Sequence, residues 1–272
     1  EQHLVYGYPP RNGFGSQVVR FRLGILLAIL LVSPAPLGNS REGGRLFLEA
    51  QSLYEQGFYF KAARYAFSSI EEDPGLKSQA YALAAVSLAD AGLVHSSSYF
   101  FIQALKSGDR LAIRRVLTRA ETLLVHLGAD VLRRYLVRHT TYEDYDARNK
   151  SAYLYALAKE ALLATGNEEK VLGYVAGMDS ASPLYPFALS LRATARAMLG
   201  KGEAAISDFK ACQDEADRYP SAFKSGSLKA EQAAREAENL KWRCQAGVAR
   251  THYELDRMDE ADQAYDRIPK ST

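Results

Sequence analysis

Leu53-Tyr54-Glu55-Gln56-Gly57-Phe58-Tyr59-Phe60-Lys61-Ala62-Ala63, running on to Ile70-Glu71-Glu72-Asp73-Pro74, is the stretch that decides the fold. Small and apolar residues at helical spacing lead into Gly57, which ends a helix in a conformation that costs other residues more. Tyr59 plugs the turn, Ala62 lets the second helix approach the first closely, and Pro74 blocks continuation after Asp73. One unit of helix, turn and helix is therefore complete by residue 74.

Outward from this unit the scheme recurs. Leu88, Gly92, Val94, Ser97, Phe101, Ala104 and Leu105 repeat it 35 residues on, closing at Gly108-Asp109. The register then reaches Gly128 (36 later), Gly166 (38 later) and Gly200 (34 later), the last with Ala205, Phe209 and Cys212. A sixth turn, Asp256, follows after one repeat plus about 22 inserted residues. Four spacings of 34 to 38 mark an internal repeat, and the chain is expected to be all-α. Units three and four depart from the pattern, with Arg133 and Val171 where a small residue five after the turn is expected, so their helix pairs are expected to splay.

The insertion, residues 213–241, opens with a polar loop, Arg218 to Ser227, and continues in an Ala/Glu/Lys/Arg-rich run from Leu228 that meets no Gly or Pro until Gly247. It reads as a long helix from Leu228 to about Leu255, protruding from the repeats.

The segment around Gly57 resembles a tetratricopeptide repeat. That resemblance implies a right-handed superhelical solenoid of about six such units: residues 41–221 hold units one to five, and residues 222–272 hold the inserted helix and a truncated sixth. It also implies binding along a concave groove lined by residues thirteen, ten, six and three before each turn. Counted back from this chain's turns, the groove-lining candidates are Phe47, Gln51, Tyr54, Arg115, Tyr153, Glu160, Phe187, Arg250 and Tyr253, with Ala82, Val86 and Ala89 in unit two and Thr118 and Thr122 beside Arg115. Phe47, Gln51, Ala82 and Val86 stand where some members carry a Lys and Asn clamp for a chaperone's terminal carboxylate, which disfavours that role. Aromatic anchors with scattered polar groups suit an extended peptide or a partner helix.

Arg20-Phe21-Arg22, the ten-residue run Leu23 to Val32 and the small, helix-breaking stretch Ser33 to Ser40 have the layout of a signal peptide. The run is about half of the ~20 residues a span requires. Residues 1–40 are therefore set apart as an N-terminal extension and signal, and the body is expected in the periplasm or cell envelope. Membrane contact is expected only if the segment stays uncleaved. The chain opens on Glu1 and stops at Thr272, where the family would begin another helix, so a fragment is expected.

The first forty residues hold Arg11, Arg20 and Arg22 against Glu1, which leaves a body with equal numbers of basic and acidic residues. A neutral body gives no electrostatic footprint for nucleic acid. Arg110, Arg114, Arg115 and Arg119, continued by Arg133, Arg134, Arg138 and His139, form a basic stripe that reads as a solvated face, with a docking site for an acidic partner as the functional alternative. Tyr142-Glu143-Asp144-Tyr145-Asp146 lies near it with opposite sign.

Catalytic signals are weak. Five scattered His residues and no ligand-spaced Cys pair give no metal site, and no cofactor is expected. Ser221-Ala222-Phe223-Lys224 fits an S-x-x-K pattern without its companion motifs. Cys212 and Cys244 permit a disulfide outside the cytoplasm, and they also fit two buried thiols, the reading that cysteine's burial tendency favours. The leading expectation is a non-catalytic, exported scaffold organising a bacterial envelope complex. The alternative is the helical superstructure of a larger peptidoglycan-active enzyme whose catalytic domain lies beyond this chain.

Cleavage after Ser40 gives a mature chain starting at Arg41. Mass spectrometry of the exported protein should find that terminus, and a mature protein retaining Leu23 to Val32 would contradict it.

Overall fold

The computed structural model describes residues 40–126, 129–223 and 227–269. The signal-like segment and the turn at Gly128 lie outside the described residues. Among the described residues the chain is helical throughout and carries no strand. The elements are α1 (Ser40–Glu55), α2 (Tyr59–Glu72), α3 (Lys77–Asp90), α4 (Val94–Lys106), α5 (Arg110–Leu117), α6 (Ala120–Leu124), α7 (Asp130–His139), α8 (Lys150–Leu162), α9 (Glu168–Ala176), α10 (Tyr185–Met198), α11 (Gly202–Glu215), α12 (Arg218–Ser221), α13 (Leu228–Glu254) and α14 (Met258–Asp266). None is long and apolar enough to cross a membrane.

The turns repeat at the level of single hydrogen bonds. Gly57, Gly92, Gly166 and Gly200 have φ between 71° and 84–85°, and Asp256, with φ 58°, is the only non-glycine with positive φ among the described residues. Phe58 N–H donates to the Leu53 carbonyl, Leu93 to Leu88, Lys201 to Arg196 and Arg257 to His252, at 2.8 to 3.0 Å. Each bond reaches back five residues and satisfies a carbonyl the helix end leaves open. Asp256 tolerates this conformation because Asp is among the few side chains that visit it. The position five after each turn is buried in every unit, as Ala62, Ser97, Arg133, Val171, Ala205 and Ala261. Ser97 sits so close to α3 that its hydroxyl donates to the Ala85 carbonyl at 2.7 Å.

Most helices pack on their chain neighbours: α1 on α2, α2 on α3, α3 on α4, α8 on α9, α10 on α11 and α13 on α14. Unit three departs from this. Its first helix breaks at Thr118–Arg119 into α5 and α6, and α7 lies mainly against α4 and α8. The expected splay is thus present in unit three, where Arg133 replaces a small residue. It is absent in unit four, where the apolar Val171 packs fully buried and α8 contacts α9 closely. Burying Arg133, 2% exposed, is tolerated because it pairs with Asp130 at 2.5 Å and Glu160 at 2.8 Å.

Two expectations about the insertion are corrected. The long helix has the anticipated bounds, capped by Ser227 accepting from the Ala230 N–H, but it does not protrude. Ala233, Ala237 and Leu240 on its first half are buried, Lys229 reaches Asp90, and Gln232 donates to the Gly92 carbonyl at 3.0 Å. Nor is the stretch before it simply a polar loop. Arg218–Ser221 is helical, and Tyr219 within it is 1% exposed. An alanine row at helical spacing and an aromatic pair four apart, Tyr219 and Phe223, are apolar surface that has to be covered.

Farther along, α13 crosses α11 at Gly247, where the Phe209 ring fills the space a Cβ would need. Cys212 on α11 and Cys244 on α13 are fully buried as expected, but they are joined by a disulfide there, which corrects the favoured reading of two free thiols. Closing a loop of this length stabilises by about 3.5 kcal/mol in the chain-entropy account.

No atom lies within 4 Å of a Cβ built on Gly57, so a substitution there pays a conformational cost alone. Gly57→Ala should lower stability by about 1 kcal/mol, seen as a drop of roughly 2–4 °C in Tm. Gly57→Asn should lose less than half of that. Equal losses, or none, would contradict this account of the turns.

Candidate functional site

Asp90, the last residue of α3, gathers donors from three other parts of the chain. It accepts from the Tyr54 hydroxyl on α1 at 2.8 Å, from Arg119 at the α5–α6 break at 3.0 and 3.2 Å, and from Lys229 on α13 at 2.8 Å. Burial acts to raise the Asp90 pKa, but the hydrogen bonds and charges of Arg119 and Lys229 outweigh it and hold the carboxyl below the usual range. Tyr54 also accepts from Arg119 at 2.8 Å, and burial pushes its hydroxyl pKa up to about 12.

Two clefts open beside this hub. The first, of about 440 Å³, lies between Arg114, Arg115 and Thr118 on one wall and Glu143, Asp144 and Asp146 on the other. The second, of about 680 Å³, shares Thr118, Asp146 and Asn149 with the first and runs along Glu121 to Ser182 and Tyr219. Glu121 accepts from the Ser182 hydroxyl at 3.0 Å. Its pKa is raised, first by burial and further by Asp146 and Asp179, against the lowering effect of Ser182 and Arg148. Tyr219 closes one side, edge-on to Phe187 with ring centroids 5.0 Å apart.

The groove candidates divide accordingly. Phe47 and Arg115 come together, with the guanidinium 5.9 Å from the ring centre, and Tyr54 lies in the adjoining hub. Gln51 is half-buried on the same helix. Tyr153, Glu160 and Phe187 are engaged within the molecule, by Tyr145, Arg133 and Tyr219 respectively. Arg250 and Tyr253 stand exposed on the second half of α13, Arg250 bonded to Glu254 at 2.8 Å. Ala82, Val86 and Ala89, expected to line unit two, are buried in the core instead, because they fall where α3 meets its neighbours. Of the pair in the S-x-x-K match, Ser221 donates its hydroxyl to the Arg218 carbonyl, and Lys224 lies outside the described residues.

The basic stripe is likewise not one solvated face. Arg110, Arg114, Arg134, Arg138 and His139 are exposed, whereas Arg119 and Arg133 are held in internal ion pairs and Arg115 is half-buried. Helical periodicity turns neighbouring stripe members toward different partners. Among the described residues no group of His, Cys, Asp and Glu is placed to hold a metal ion. Sequence reasoning missed Asp90, Glu121 and Tyr219. Only Tyr219 had a local signal, its spacing to Phe223. Compared with known protein families, with curated proteins and with solved structures, the chain matches none of them.

Removing Asp90 leaves Arg119, Lys229 and Tyr54 without their shared acceptor, so Asp90→Ala should cost about 3 kcal/mol near neutral pH. Because the folded pKa is depressed, the carboxylate's contribution is complete above the ordinary value of about 4 and is lost as pH falls through the lower folded value. Denaturant melts of wild type and Asp90→Asn should therefore differ most near pH 7 and converge below about pH 4. A gap that widened on acidification would contradict the assignment.

Proposed function

We propose that this chain is an exported, non-catalytic interaction scaffold of tetratricopeptide type, its helix pairs stacked in a superhelical array, which binds a protein or peptide partner in the bacterial envelope. The recurrence of one turn geometry carries this reading. Four turns close with the same five-residue hydrogen bond, and the position five residues on is buried in every unit. Stacked units of this kind present an extended surface, and their usual work is recognition. A disulfide between Cys212 and Cys244 favours an oxidising compartment, in keeping with the signal-like segment.

The partner-binding edge is assigned to Phe47, Gln51, Tyr54 and Arg115. Phe47, Gln51 and Arg115 retain partial exposure beside Tyr54, which the Asp90 hub holds, whereas Tyr153, Glu160 and Phe187 are engaged by other internal contacts. Exposed Leu48, on α1 as well, adds apolar surface to that helix. An aromatic anchor beside a guanidinium suits a peptide or helix that brings both apolar and acidic side chains.

Crosslinking mass spectrometry on native envelopes should place a partner against α1 and α5. Phe47→Ala with Tyr54→Ala should abolish that partner's co-purification while the protein still melts cooperatively. Unchanged co-purification in the double variant, or crosslinks confined to other helices, would overturn the reading.

A further inference from the structure

Arg115 is the strongest unexplained feature of the molecule. Among the described residues its Nη1 is the only buried Arg or Lys nitrogen without a hydrogen-bond partner. Burial works against its charge, lowering its pKa, while a guanidinium stays protonated at any ordinary pH. A half-buried cation with one nitrogen shut off from water and unpaired costs the fold stability.

Its neighbours cannot relieve it. Asp90 already serves Tyr54, Arg119 and Lys229, and the Tyr54 hydroxyl donates to Asp90 while accepting from Arg119. Arg119 and Lys229 thus take up the hub's carboxylate, and Arg115, which senses Tyr54, has no ion pair within 4.0 Å among the described residues. Across the 440 Å³ cleft the imbalance is reversed. Glu143, Asp144 and Asp146 line the facing wall, and among the described residues none of them forms an ion pair within 4.0 Å. Asp144 is engaged by Thr141, and Asp146 by Asn149.

We propose that this cleft binds a dipolar peptide segment, whose carboxylate side chain pairs with Arg115 and whose cationic side chain faces Glu143, Asp144 and Asp146. This rests on the scaffold reading and names the chemistry of its partner. A planar guanidinium matches a carboxylate with two parallel bonds. The Phe47 ring lies against the Arg115 guanidinium and helps hold it in place at the cleft. A simple inorganic anion would meet the repulsion of the acidic wall, and a purely basic peptide would meet Arg114 and Arg115. The volume suits two or three side chains of a peptide.

The first test needs no ligand. Arg115→Met replaces the uncompensated cation with an apolar chain of similar length, so the free protein should melt several degrees higher. A lower Tm would show that Arg115 is held for packing and would overturn the proposal.

The second test titrates the wild-type chain with the fifteen-residue peptide of three Glu-Ala-Ala-Ala-Lys repeats. Binding should weaken at least tenfold when Gln replaces every Glu, when Gln replaces every Lys, or when Arg115→Gln is used. Inorganic phosphate should not compete. No binding at millimolar peptide, equal binding of the Glu-free peptide, or full competition by phosphate would each overturn it. If Phe47→Ala with Tyr54→Ala abolishes capture of the envelope partner and Arg115→Gln leaves it unchanged, the scaffold reading stands and this inference fails. If neither alters capture, both fail.

Discussion

A carboxylate with three donor side chains around it is hard to move, and Asp90 has that place in this chain. Its oxygens hold α1 through Tyr54, the broken first helix of unit three through Arg119, and the inserted helix through Lys229, 139 residues away in sequence. Each donor arrives from a different element, so the alignment of those elements is fixed by one acceptor's geometry. The break at Thr118–Arg119 lies at the point where Arg119 turns toward Asp90. The first half of α13 lies where Lys229 and Gln232 meet the end of α3 and its turn.

This constraint explains why the surface left open differs from the one that turn counting predicts. With its start held at Asp90, α13 buries Ala233, Ala237 and Leu240 against the earlier helices, and Tyr219 seats against Phe187. His126 lies 3.4 Å from Glu236 along the same contact. Tyr155, wholly buried with its pKa pushed up to about 12 by that burial, senses Arg243 and Glu236 of α13. The chain's own insertion thus covers part of the surface that turn counting leaves open. What remains open is the edge near α1 and α5, where Phe47 and Arg115 meet.

The local features of the fold were legible in the sequence, and its long-range contacts were not. Gly57, Gly92, Gly166 and Gly200 could be read because only a residue tolerant of positive φ ends a helix this way, and Asp256 could be read because its surroundings repeated theirs. The bounds of α13 followed from a run of good helix formers without a breaker. Its docking did not, since a lysine and an aspartate 139 residues apart leave no periodic trace. Phe47 and Arg115, both counted from turns, lie against each other. Tyr153, Glu160 and Phe187 were counted equally well, but Tyr145, Arg133 and Tyr219 occupy them from positions that no spacing rule connects. Arg133 shows the same limit: it broke the small-residue pattern, and Asp130 and Glu160 made its burial tolerable.

The most direct test of this architecture is hydrogen exchange along α13. Amides of residues 229–240 should be protected in the wild-type protein nearly as well as those of 241–254, which the disulfide and α14 hold. In Asp90→Asn the first half should exchange markedly faster while the second half is unchanged. If residues 229–240 of the wild type already exchange as a solvent-exposed helix, or if Asp90→Asn leaves them untouched, the inserted helix is not held against the repeats by Asp90 and the account is wrong.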